Sequence, residues 1–156
     1  MLPKISKYKN FANQFHCCLL KGITMVSTTN VSTYELLVKP IIDSPSSPNR
    51  TVIQGYFLTI SNPGFSNLKI RLTFKARTPD FFSSPIVAFW FVAGANSPLN
   101  PTFSLPCVRT YTFDLPALDT GLFLLLPDVT QSSVITNRNT EIRGYVRLSI
   151  ASASGG

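Results

Sequence analysis

The chain is poor in the residues from which reactive sites are made. It has one histidine, three cysteines and only 13% charged residues, against roughly 25% in an average soluble domain. The histidine, His16, lies ahead of every patterned segment, so a Ser-His-Asp or Cys-His constellation cannot be assembled from the patterned part of the chain. Cys17 and Cys18 are adjacent and Cys107 stands alone. That arrangement offers neither a CxxC zinc pair nor a disulfide framework, and it fits a reducing, cytoplasmic compartment. Asp114, Asp119 and Asp128 lack the alternate-residue spacing of a calcium loop, and no glycine-rich phosphate loop occurs. The sequence therefore points to no catalytic residue, no metal and no cofactor. Long apolar runs are missing too. The longest, IVAFWFVAG at 86–94 and GLFLLLP at 121–127, are under half the length of a membrane helix, which leaves no membrane span and reads as buried central strands.

What is present is β-forming. Of 156 residues, 44% are hydrophobic, with twelve phenylalanines and twelve prolines, and no window has helical period, so strands and turns are expected throughout. The reading is all-β: a single antiparallel β-sandwich, Ig-like or jelly-roll-like, of about eight strands over residues 25–150. Residues 1–24 show neither helical period nor strand alternation and are expected to be a disordered or upstream extension, with Met25 as the start. Residues 25–32 read as a polar leader and 151–156, ASASGG, as a flexible tail. Alternation of Tyr34, Leu36 and Val38 marks the first strand. TVIQGYFLTIS at 51–61 reads as one long strand that turns at Asn62-Pro63-Gly64 into LKIRLTFKAR at 68–77, making an antiparallel hairpin. Residues 95–106, with three prolines, read as the longest irregular loop. Strands are expected near 107–115, 121–126, 132–136 and 141–150.

The formal charge of +7 suggests an anionic partner, but Lys4, Lys7, Lys9 and Lys21 carry four of those charges and leave +3 for the remainder. The informative feature is a row. In LKIRLTFKAR, Lys69, Arg71, Lys75 and Arg77 alternate with apolar residues, and in the last strand Arg143, Tyr145 and Arg147 do the same. If those two strands share a sheet face, these seven residues make one basic surface around a tyrosine, able to neutralise phosphates. The competing reading is a solvated outer face that keeps an apolar sandwich soluble.

Two short motifs resemble known families. Asp119-Thr120-Gly121 in ALDTGL resembles the signature of aspartic proteases, whose small dimeric type implies one carboxylate from each of two copies sharing a proton. Leu122 stands where that family continues with Ala or Ser, and the motif falls late in the chain, so a turn leading into a buried strand is the preferred reading. Arg143-Gly144-Tyr145 matches the first three positions of the RNP1 pattern of RNA-recognition motifs, but Arg147 occupies the place of the second aromatic and the two helices of that fold have no counterpart. The functional expectation is a non-enzymatic structural or interaction protein, an adaptor or scaffold that self-associates. The alternative is a binding module for an anionic ligand or polymer through the basic row, and a dimeric aspartic-protease-like enzyme is a distant third.

Overall fold

The computed structural model describes residues 28–41 and 50–152. Its elements are β1 (Thr28–Ile41), β2 (Arg50–Gln54), β3 (Tyr56–Ser61), β4 (Leu68–Thr78), β5 (Ile86–Val92), β6 (Ala95–Leu99), β7 (Phe103–Leu105), β8 (Val108–Leu115), β9 (Thr120–Pro127), α1 (Ser132–Asn137) and β10 (Thr140–Ser152). They form two antiparallel sheets, a six-stranded one in the order β2-β1-β10-β4-β8-β7 and a four-stranded one in the order β3-β9-β5-β6. The pairs β1·β10, β3·β9, β4·β8 and β5·β6 nest about a single turn. At that turn Ala93 (φ 51°) and Gly94 (φ 75°) supply the left-handed positions of a two-residue hairpin loop. A long ribbon folded at its middle and rolled into two sheets is a jelly roll, which decides between the two sandwich types expected.

The core follows from alternation. Tyr34, Leu36 and Val38 of β1, Ile70, Leu72 and Phe74 of β4, Tyr111, Phe113 and Leu115 of β8 and Phe123 and Leu125 of β9 all point between the sheets and are buried. Removing a side chain of this size from water contributes about 2 kcal/mol. Aromatic contacts run through the centre, with Phe74 edge-on to Tyr34 at 5.2 Å and stacked with Phe123 at 5.5 Å. Trp90 packs on Phe113 at 4.3 Å and donates its indole N–H to the Asp114 carbonyl at 3.1 Å, tying the sheets together.

Several sequence expectations are corrected. The segment 51–61 is two strands in different sheets, because the chain changes sheet at Gly55, where a Cβ would run into the Leu126 side chain. The 51–61/68–77 hairpin does not form: β3 pairs with β9, and β4 lies between β10 and β8. Asn62 makes this an arch from sheet to sheet. Its buried amide donates to the carbonyls of Ser66 and Pro116, each at 2.9 Å, and its Oδ1 accepts from Gly64 N–H. The region 95–106 holds the edge strands β6 and β7. Residues 132–137 are a helical turn, started after Asp128 accepts from Thr130 and Gln131. The leader expected at 25–32 is strand from Thr28 onward, and β10 runs through Ser152. Cys107 is in a disulfide rather than alone. The expectations for residues 1–24, including His16, Cys17 and Cys18, lie outside the described residues.

Candidate functional site

β10 and β4 are adjacent, so the two basic stretches do share a face. Register sets Tyr145 opposite Lys75, Arg147 opposite Thr73 and Ser149 opposite Arg71. Cross-strand partners point to the same side of a sheet, and here that side is the outer one, since Val146, Leu148 and their partners Phe74 and Leu72 face inward. Lys69, Arg77, Arg143 and Arg147 are exposed and Arg71, Lys75 and Tyr145 are half-buried. All seven expected residues therefore lie on one surface, which β1 extends with Lys39 and Glu35.

Their partners differ. Lys69 pairs with Asp114 at 2.9 Å, and Lys39 with Glu141 at 2.9 Å. Arg143 is held by two carboxylates, Glu35 and Glu141. The hydrogen bond to Glu35 raises the Arg143 pKa further, and Lys39 chiefly holds the Glu141 carboxyl below its ordinary value. Among the described residues Lys75 and Arg147 have no carboxylate partner. Among the described residues cations thus outnumber carboxylates on this face, and binding of a polyanion there would weaken steeply with salt.

At one end of the row β4 and β10 slip register between Arg143 and Gly144. Arg77 is the extra residue of this bulge, and its guanidinium lies over the Tyr145 ring, 5.5 Å from the centroid. Gly144 is required there because a Cβ would collide with the Lys75 carbonyl. Beside the bulge, β2 pairs only with Leu37–Ile41 of β1 before leaving for the other sheet, so among the described residues no strand lies on that side of the earlier part of β1. The result is an open groove of about 810 Å³, lined by Thr33, Glu35, Gln54, Tyr56, Phe57, Arg77, Arg143 and Tyr145 among others. Tyr56 is fixed by its hydroxyl contact with Ser32 at 2.8 Å, whereas Phe57 is 62% exposed. The sequence row identified Arg77, Arg143 and Tyr145 of this groove and missed Gln54, Tyr56 and Phe57. The signal for those three was Gly55 in the middle of a strand pattern.

The opposite surface has another character. No charged residue occurs in β3, β9, β5 or β6. With Ala88, Trp90, Phe123 and Leu125 inward, alternation turns Val87, Phe89 and Phe91 of β5 and Leu122, Leu124 and Leu126 of β9 to the outside, all half-exposed. Phe89 and Leu124 are directly paired, and Phe89 and Phe91 touch at 6.4 Å.

Asp119-Thr120-Gly121 is a strand start: Asp119 accepts from Thr120 N–H at 2.7 Å, Thr120 meets Ser61 at 2.8 Å, and Gly121 leaves room for the Trp90 indole. Among the described residues no group of three His, Cys, Asp or Glu side chains is placed to hold a metal, and no helix is long and apolar enough to cross a membrane.

No protein-family model matches the chain, and no curated protein matches it. Among solved structures it is similar to the CBM35 from Cellvibrio japonicus Abf62, at a TM-score of 0.33 and 13% identity, over 80% of this chain and 100% of that one. A likeness at that level transfers neither ligand nor residues.

Proposed function

We propose that the protein is a non-enzymatic structural or interaction module that self-associates through the outer face of its four-stranded sheet. The observation that carries this is the absence of charge from all four strands while six large apolar side chains point outward. Monomeric proteins rarely present a contiguous apolar patch of this extent to water. At about 4.8 Å between strands and 3.3 Å per residue, the face covers about 450 Å² in plan. Side-chain relief raises this toward the roughly 600 Å² per partner at the lower end of specific interfaces. A second copy meeting it about a two-fold axis buries no charge, and Asn96 and Pro98 of β6 supply a polar, edge-blunting rim. The test is sedimentation of the full chain against Phe89→Lys and Leu124→Lys. Both variants should be folded monomers that have lost the concentration dependence of the parent's unfolding temperature, and an unchanged mass in both rejects the reading.

A second reading is favoured by the adjacency of β4 and β10: the opposite, basic face binds an anionic polymer. Replacing Arg71 and Lys75 by Ser should abolish retention on an anionic column without changing the unfolding temperature, and unchanged retention rejects it. The disulfide at Cys107 removes the sequence argument for a cytoplasmic compartment, and nothing in either reading depends on one.

A further inference from the structure

We infer that the core beneath Phe81 holds a small monovalent anion of the halide class, bound by the Arg109 guanidinium and the Tyr34 hydroxyl. The site is independent of both surfaces described above. Register places the cation: Arg109 of β8 pairs with Phe74 of β4, and cross-strand partners share a side, so Arg109 points between the sheets as Tyr111, Phe113 and Leu115 do. No carboxylate comes with it. The ion pairs among the described residues are those of Lys39, Lys69 and Arg143, all on the outer face. What Arg109 has instead is a carbonyl and a ring. Its Nη2 donates to the Phe81 carbonyl at 3.0 Å, and its guanidinium lies 5.4 Å from the Phe81 ring centroid.

Two donors here have nothing to donate to. Arg109 Nε and the Tyr34 hydroxyl are both buried without a hydrogen-bond partner among the described residues, and Tyr34 is only 5% exposed. They belong to one cluster. Tyr34 stacks at 6.3 Å on the Phe81 ring that the guanidinium also covers. Burial, first, and then the neighbouring Tyr111 raise the Tyr34 pKa, while the Arg109 charge opposes them. Buried polar groups are almost always satisfied, and an inward cation without a counter-charge is costly. A water accepts from both donors but brings no charge, whereas an anion accepts from both and neutralises the guanidinium. Phe74, Phe81 and Tyr111 are fully buried around the cluster, which favours a single-atom anion over phosphate or sulfate.

The test is thermal unfolding of the full chain as sodium chloride replaces sodium gluconate at constant ionic strength. In the parent, once chloride exceeds its dissociation constant, each tenfold rise should lower the apparent unfolding constant about tenfold. Tyr34→Phe keeps the ring and removes one donor, so it should bind chloride about tenfold more weakly and respond only at correspondingly higher chloride. Without halide the phenol has no partner to lose, and that variant is as stable as the parent or more so. Surface effects of the anion exchange are common to both proteins and cancel in the comparison. Arg109→Gln should lose the response altogether, and if it does not fold, Tyr34→Phe still decides. Crystals of the full chain soaked in sodium bromide should show anomalous density within hydrogen-bond reach of Arg109 Nε and the Tyr34 hydroxyl. No chloride response in the parent, an equal response in Tyr34→Phe, or a water at that position with bromide only elsewhere overturns the inference.

Discussion

The Arg77 guanidinium rests over the Tyr145 ring at the one place where β4 and β10 lose register. An extra residue on β4 turns Arg77 out of the ladder and onto its neighbour's aromatic face, the local re-aiming that bulges provide. Gly144 makes the slip possible, since only a residue without Cβ lets the Lys75 carbonyl approach. Gly144→Ala should therefore destabilise the fold by about 2 kcal/mol or more and remove the contact between Arg77 and Tyr145. Thermal unfolding with tyrosine fluorescence checks both, and an unchanged melting temperature would contradict the account of the bulge.

Asn62 holds the sheet-to-sheet arch with one amide. Asn62→Ala leaves the carbonyls of Ser66, Leu115 and Pro116 without that donor and should cost about 2 kcal/mol in chemical denaturation. Asn62→Asp should be worse, because a carboxylate keeps the Gly64 contact and faces three carbonyl oxygens.

Tyr34 carries a buried hydroxyl with no hydrogen-bond partner among the described residues. Tyr34→Phe should be neutral or stabilising by about 1 kcal/mol, measured by urea denaturation.

Burial, first of all, raises the pKa of Tyr34, Tyr56 and Tyr111. In the unfolded chain these phenols ionise near about 10, whereas in the fold they keep their protons to higher pH. Stability from this source is complete below pH of about 10 and falls as pH rises toward the folded values, because the folded state then binds more protons than the unfolded one. Denaturation midpoints measured from pH 8 to 11 should decline at the alkaline end, and the decline should be shallower in Tyr34→Phe.

The sequence revealed as much of this as local pattern can carry. Alternation in 68–77 and 141–150 assigned inward and outward residues because a strand's period is fixed by its backbone. Their adjacency was beyond local pattern, since it depends on β10 returning to lie between β1 and β4. Gly55 and Asn62-Pro63-Gly64 illustrate the same limit. Both are read correctly as a break and a turn, yet a turn that joins two strands of one sheet and an arch that joins two sheets have the same local chemistry. What differs is the partner: Tyr56 pairs with Leu125, far along the chain. The groove lay hidden behind that misreading, because Gln54 and Phe57 come together only if the chain changes sheet between them. The uncharged sheet was legible as two buried strands, but that their second faces are half-exposed depends on the layers of the fold, in which no other described strand packs on them.

The most direct test of the account is the molar mass of the full chain by light scattering after gel filtration, at low and at high salt. Association through an uncharged apolar face predicts twice the chain mass at both, unchanged or strengthened by salt. A monomer at both salts, or a dimer that dissociates as salt rises, would contradict the assignment of the four-stranded sheet as the interface.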